Sequence, residues 1–218
     1  QQVSSAASDV YKRQIVLSLD KDIQYLIRNE LIKFNKIFDT KGSAAILMDV
    51  NSGEILSLIS LPDFNPNKRE KITDVNYINR ATKGVYEFGS VFKTFTLAAA
   101  FNERIIEPDS KFSNLPKSLT CSGFPIREYD NKIPSDLTAE QILIRSGNIG
   151  SVRIGQKVGE EKFKLFLSKL GILKKIDFDI EEVGKPIDFK WGKCPLATAS
   201  FGHGLSLIHI SEPTRHTR

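Results

Sequence analysis

The stretch Val91–Phe101 (VFKTFTLAAAF) constrains the fold more than any other part of the chain. It contains neither Gly nor Pro, and its apolar residues recur at helical spacing. A helix that is apolar on nearly all sides has to be buried, so other elements must be built around it. Gly89 supplies a flexible turn just before it, which places Ser90 in the first turn. Residues three apart on a helix share a face. Lys93, the single cation within this apolar run, therefore lies beside the Ser90 hydroxyl.

That neighbourhood has chemical content. A serine hydroxyl is a weak nucleophile until a base takes its proton. A lysine held in apolar surroundings loses solvation of its charge, so its pKa falls and part of it is neutral amine near pH 7. N–H groups at the start of the helix can stabilise a developing oxyanion. A Ser-x-x-Lys pattern alone more often marks a helix cap and a surface lysine, so the reading depends on what accompanies it.

The chain has 218 residues, 40% of them hydrophobic, which is enough for a sizeable core in one domain. The net charge of +5 is spread out with no long basic run, so nucleic acid is not expected as a partner. Ser4–Gln14 (SSAASDVYKRQ) and Leu205–Arg215 (LSLIHISEPTR) each read as the in-frame translation of a transposase adapter used to prepare sequencing libraries. Residues 1–14 and 205–218 are therefore expected to be adapter-derived, and 15–204 to be part of a single domain. Each end carries one net positive charge, so +3 remains for the interior. Cys121 and Cys194 do not make a metal set; they pair in an oxidising compartment or stand as two unrelated thiols.

In chain order, Ile15–Leu19 reads as a short strand and Asp20 as the N-cap of a helix. That helix presents Ile23, Leu26, Ile27, Leu31 and Phe34 as a buried face. Ser43–Val50 reads as a buried strand and Glu54–Leu61 as the second strand of a hairpin around Asn51-Ser52-Gly53. Residues 102–135, with four prolines, read as a long irregular segment. Thr138 and Gln141 form a capping-box pattern opening the helix Ala139–Arg145, which is expected to bury Ile142, Leu143 and Ile144. Further helices are expected through Val152–Val158 and from Glu160 to Lys169, the second burying Phe163, Phe166, Leu167 and Leu170 with Gly171 as its C-cap. Ile176–Gly184 is strand or loop, and Thr198–Gly204 reads as the start of another helix. A hairpin leading into a central apolar helix suggests helices packed on an antiparallel sheet, an α/β fold of the α+β type.

A second pattern follows the first. Ser146-Gly147-Asn148 lies 56 residues after Ser90, just past the capped helix. In a serine acyltransferase, Ser146 can relay a proton between Lys93 and a leaving amine, and Asn148 can hydrogen-bond a peptide-like substrate. Motif order, separation and placement at helix ends match the S-x-x-K and S-x-N pair of penicillin-binding proteins and serine β-lactamases. Asn79-Arg80-Ala81 through Lys93, Leu137 through Gly150, Phe178-Asp179-Ile180 with Gly184, and Ala199–Gly204 resemble class B penicillin-binding proteins, the last two segments their septal branch. Asp49–Glu54 and Leu61-Pro62 fit the hairpin that precedes the nucleophile, so the resemblance covers nearly all of 15–204.

The resemblance implies a peptidoglycan D,D-transpeptidase of the penicillin-binding protein and serine β-lactamase-like fold, incomplete on its C-terminal side. Ser90 attacks a D-Ala-D-Ala stem peptide, or a β-lactam, and holds the acyl group. It implies no metal or organic cofactor. It also implies an N-terminal membrane anchor absent from this stretch, a periplasmic site at the inner membrane, and a division glycosyltransferase as partner. Two departures stand out. Phe88 precedes Gly89 where relatives often carry proline, which alters turn stiffness more than chemistry. The third family motif, K-[ST]-G, occurs nowhere in the chain, so the 218-residue polypeptide is expected not to complete the site on its own. A serine β-lactamase or a β-lactam-sensing binding domain shares the first two motifs. A class A β-lactamase also needs a deacylating glutamate in an E-x-x-L-N loop, which this sequence lacks. A degenerate scaffold does not need Ser90, Lys93, Ser146 and Asn148 together. His203 is expected to be structural, and Asp49, Arg80 and Glu87 to brace the helix entrance.

Overall fold

The computed structural model describes residues 16–68, 74–84, 86–178, 183–186, 188–204 and 206–207. It contains two compact units, residues 1–81 and 82–218.

In the first unit, helix α1 (Lys21–Phe38) begins at Asp20, whose carboxylate accepts the Asp22 and Ile23 N–H groups at 2.9 and 3.0 Å. Strands β1 (Ser43–Met48) and β2 (Ile55–Leu61) pair antiparallel as the expected hairpin. Asp49 closes its turn by accepting the Asn51 and Ser52 amides. Those bonds, Asn51 first, hold its carboxyl below the usual carboxylate range. Gln24 fastens α1 to β2. Its Oε1 accepts the Ser57 hydroxyl and the Leu58 N–H, and its Nε2 donates to the Leu58 carbonyl. A four-residue helix, α2 (Asp74–Tyr77), follows, with the Tyr77 ring against Phe64.

Three expectations change here. Residues 16–19 form no strand; Ser18 Oγ donates to the Ile55 carbonyl and the Asp20 N–H to that of Leu56. Ile15 lies outside the described residues. The α1 stripe is not buried: Ile23, Ile27 and Leu31 are half-buried, while Leu26 and Phe34 are exposed. β1 leaves Ile46, Leu47 and Met48 exposed, and only β2 buries side chains fully, among them Ile59 and Leu61. Periodicity decides which residues share a face, but it does not supply the layer that covers that face.

The second unit runs from β3 (Tyr86–Glu87) through a 3-10 turn (Gly89–Phe92) into α3 (Lys93–Asn102). Then come β4 (Lys111–Phe112), β5 (Ser118–Cys121), β6 (Phe124–Arg127) and β7 (Leu137–Thr138). Helices α4 (Ala139–Ile144), α5 (Asn148–Val158), α6 (Glu160–Lys169) and α7 (Lys193–Ala199) and strand β8 (Ser206–Leu207) complete it. The ladders β3–β8, β4–β7 and β5–β6 are all antiparallel.

Helix α5 is central, packed against α3, α4, α6 and α7. Ile149, Val152 and Ile154 are wholly buried, and its two glycines admit neighbours where a Cβ would not fit. At Gly150 a Cβ would press on the Ile142 side chain, and at Gly155 it would overlap Ser200 Oγ. Phe92 and Phe163 meet edge-to-face at 6.3 Å, and Trp191 packs edge-on to Phe163 at 6.4 Å.

The capping box is present: Thr138 Oγ1 accepts the Gln141 N–H, and Gln141 Oε1 accepts the Thr138 N–H. Thr138→Ala should cost about 1 kcal/mol, read from urea unfolding midpoints. In the short helix it opens, Ile142 is buried, whereas Leu143 and Ile144 are exposed, against expectation. α6 buries Phe163 and Leu167, leaves Phe166 half-buried and Leu170 exposed, and ends before Gly171, whose φ is +74°. Residues 198–204 end a helix rather than start one: α7 stops at Ala199 and a turn follows.

The segment 102–135 is not irregular throughout. Ser122 and Gly123 both have positive φ and form the two-residue turn of the β5–β6 hairpin, with Cys121 opposite Phe124. A disulfide joins Cys121 to Cys194, tying that hairpin to α7 across 73 residues of sequence. Residues 179–182, within the stretch 176–184 that reads as strand or loop, lie outside the described residues, and those around them form neither helix nor strand. Of 205–218 only Ser206 and Leu207 are described; they pair with Glu87 and Tyr86 through backbone groups, which any sequence can supply.

Candidate active site

Ser90 sits on the 3-10 turn, exposed, between Gly89 (φ +55°) and buried Phe92. The α-helix proper begins at Lys93, one turn later than expected, and Lys93 is 1% exposed. Its ammonium donates to Ser90 Oγ at 3.2 Å, to Ser146 Oγ at 2.8 Å and to the Ser146 carbonyl at 2.5 Å. Both serines thus bond to one amine, Ser90 from 3 positions away in sequence and Ser146 from 53.

Burial pushes the Lys93 pKa down from 10.5 to about 8, and the carboxylate of Glu128 acts in the opposite sense. The neutral fraction at pH 7 thereby rises from roughly one in three thousand to roughly one in ten. Between pH 8 and 10.5 the native state gives up this proton before the unfolded chain does, so the group adds stability as pH rises through that window.

Ser146 occupies the left-handed region (φ +52°), an unfavourable conformation for a residue with a Cβ. Its N–H donates to the Leu143 carbonyl, and Gly147 N–H donates to that of Ile142, so the end of α4 imposes the turn. Ser146→Gly should therefore be more stable than Ser146→Ala by about 1 kcal/mol, although both lose the hydroxyl. Paired thermal unfolding of the two variants checks this.

Asn148 opens α5. Its Nδ2 donates to the Arg127 carbonyl at 2.9 Å, which uses one of the two amide hydrogens. Sequence reasoning missed Glu128. Its Oε2 accepts the Asn148 N–H at 2.6 Å and its Oε1 the Ile149 N–H at 2.9 Å. The stretch Arg127-Glu128-Tyr129-Asp130 reads as an ordinary polar loop, and only the fold brings its second residue to a helix start.

On the far side of Ser90, Gly89 N–H donates to the Gly202 carbonyl, while Glu87 accepts the Gly204 N–H and meets His203 Nδ1 at 3.2 Å. Glu87 and His203 thus brace the segment as expected. Asp49 does not; it holds the β1–β2 turn. Arg80 N–H donates to Ser60 Oγ, within the first unit. Next to the site a cavity of about 850 Å³ is lined by Arg127, Phe124, Thr198, Phe201 and His203 among others. Among the described residues no helix is long and apolar enough to cross a membrane.

A nucleophile candidate and a second serine sharing one buried, partly neutral lysine is an arrangement suited to acyl transfer. Comparison with known proteins agrees with that chemistry. The family model of the penicillin-binding protein transpeptidase domain matches residues 43–212. The probable peptidoglycan D,D-transpeptidase FtsI of Caulobacter vibrioides is 32% identical over 198 residues, covering 89% of this chain and 33% of that protein. The peptidoglycan D,D-transpeptidase FtsI of Escherichia coli is 28% identical over 202 residues, covering 90% and 33%. The chain thus spans about a third of the length of these two relatives. The transpeptidase domain of penicillin-binding protein 3 from Burkholderia pseudomallei superposes with a TM-score of 0.74 at 26% identity, covering 88% of this chain and 54% of that one. A Burkholderia ambifaria crystal structure described as a peptidoglycan glycosyltransferase gives 0.76 at the same identity, covering 88% and 57%. With the family match spanning most of its length and the S-x-x-K and S-x-N residues brought onto one lysine, the chain belongs to the penicillin-binding protein transpeptidase domain family.

Proposed function

We propose that the protein to which this chain belongs is a peptidoglycan D,D-transpeptidase of the septal, class B type. The observation that carries the reading is the convergence of Ser90 Oγ and Ser146 Oγ on Lys93 Nζ, which is buried and has a lowered pKa. Neutral Lys93 takes the Ser90 proton as Oγ attacks the carbonyl of the penultimate D-Ala. The C–N bond breaks, terminal D-Ala leaves with a proton relayed through Ser146, and Ser90 holds the acyl group as an ester. An amine from a second stem peptide then attacks that ester, forms the cross-link and regenerates Ser90. A β-lactam opens on the same hydroxyl. Asn148, with one amide hydrogen beyond that given to Arg127, is assigned to hold the peptide-like donor.

By the same reading the protein is anchored in the inner membrane, faces the periplasm and works with a division glycosyltransferase. The disulfide Cys121–Cys194 suits an oxidising compartment. Residues 1–14 and 205–218 are proposed to be adapter-derived, with the natural frame continuing from Gly204 into a strand carrying K-[ST]-G. Sequencing the source DNA outward across Gly204/Leu205 tests this, and a frame lacking that tripeptide contradicts it. By itself the 218-residue polypeptide is expected to take no covalent label from penicillin.

The test of function is donor turnover by the full-length gene product. With a stem pentapeptide ending in D-Ala-D-Ala and an acceptor amine, release of one D-Ala per cross-link is expected. Fast turnover of a chromogenic cephalosporin without D-Ala release supports the serine β-lactamase alternative. Stable acylation with neither activity supports the β-lactam-sensing domain. The acylation rate should rise with pH and level off above about 8, where Lys93 has lost its proton. Stopped-flow measurements with a fluorescent penicillin between pH 6 and 10 read that profile.

A further inference from the structure

The geometry points to Glu128 as a positioning residue of the acyl-transfer site: its carboxylate clamps the start of α5 and thereby fixes Asn148, and the Ser146 turn before it, against Lys93. The inference rests on the transpeptidase reading for its consequence, but its geometry stands apart from that reading.

Both carboxylate oxygens are engaged, Oε2 by Asn148 N–H at 2.6 Å and Oε1 by Ile149 N–H at 2.9 Å. Charge-assisted bonds of this kind are short and roughly twice as strong as neutral ones. They also set a negative charge against the positive end of an eleven-residue helix. Arg127, the residue before, accepts from Asn148 Nδ2 at 2.9 Å, so three hydrogen bonds join the end of β6 to the first turn of α5. Gly147 precedes Asn148 with no side-chain cap of its own. Glu128 supplies that cap from 20 residues away in sequence.

This placement matters because Ser146 lies only two residues before Asn148, in a strained left-handed conformation. Its hydroxyl and carbonyl must stay within reach of Lys93 Nζ. A rigid α5 start on one side and the end of α4 on the other confine that turn. Ser90 and Ser146, the groups bonded to Lys93, are uncharged. Among the described residues Glu128 is the charged group whose field acts on Lys93, and it favours the ammonium. The disulfide ties β5, and with it the hairpin that carries Glu128 just beyond β6, to α7.

The test uses NMR of the 218-residue chain, because its readouts need no turnover. Glu128→Gln keeps the shape and removes the charge. Its Asn148 and Ile149 amide protons should move upfield, and the Lys93 titration midpoint should fall below the value of about 8. Glu128→Asp keeps the charge, so its Lys93 midpoint should stay near that of the wild type while the two amides shift, because the shorter side chain cannot hold both. In the full-length gene product, acylation by penicillin on the plateau above about pH 8, where Lys93 is neutral with or without Glu128, should slow roughly tenfold in Glu128→Gln and recover in part in Glu128→Asp. Unchanged amide shifts together with an unmoved Lys93 midpoint in Glu128→Gln overturn the inference. Where Glu128→Gln does not fold, Glu128→Asp decides, and unshifted Asn148 and Ile149 amides overturn it. Failure of the wild-type full-length protein to acylate sinks the transpeptidase reading and leaves the NMR result to judge the clamp.

Discussion

Lys93→Met should slow acylation of Ser90 by about 10²- to 10⁴-fold in the full-length gene product, the range general-base catalysis supplies. The thioether occupies the same buried position without an amine. Ser90 Oγ then loses the group 3.2 Å away that is proposed to take its proton, and Ser146 Oγ loses its partner at 2.8 Å. The fold should survive, because the change also removes a buried ammonium whose burial already depresses its pKa to about 8. Two readouts separate the roles. The pH profile that levels off above about 8 should vanish in the variant, and circular dichroism should remain native. A rate within threefold of the wild type, with the profile intact, contradicts the assignment of Lys93 as base.

Gly202→Ala should be the most damaging single methyl addition near the site. Gly202 has φ +84°, and a Cβ there would overlap the carbonyl oxygen of Gly89. That neighbour is backbone, so no rotamer change relieves the contact. Gly89 is itself bonded to Gly202 and immediately precedes Ser90, so any relief displaces Ser90. Gly123→Ala is the matched control: its φ is +83°, yet nothing lies within 4 Å of the added methyl. The control should lose only the left-handed conformational preference, about 1–2 kcal/mol. Gly202→Ala should lose at least about 2 kcal/mol more, since steric strain adds to that preference. Urea unfolding of both variants measures the difference, and equal losses would show that the Gly89–Gly202 approach is not tight.

Ser90, Lys93 and Ser146 were legible because their signal is local. A three-residue spacing puts two side chains on one face, and Ser-x-Asn after a capped helix is a short pattern. Helix α6 is legible from Gly159, Gly171 and its apolar period, whereas α5 begins at Asn148, four residues before the expected Val152. What escaped depends on distant parts of the chain meeting. Glu128 reaches α5 from the end of a hairpin within a proline-rich stretch, where Ser122-Gly123 is the local sign of a turn. Cys121 and Cys194 lie 73 residues apart, and nothing local says that they pair. Apolar character predicts burial of Leu143, Ile144 and the α1 stripe, yet Leu143, Ile144, Leu26 and Phe34 are exposed. Apolar character shows what a residue can bury, whereas burial requires a covering element.

Which atom a penicillin acylates tests the Ser90 assignment most directly. The full-length gene product should be treated with benzylpenicillin, digested and analysed by peptide mass spectrometry. A single penicilloyl adduct on Ser90, absent from Ser90→Ala, is the predicted result. An adduct on another serine, or none on a folded wild-type protein, contradicts it.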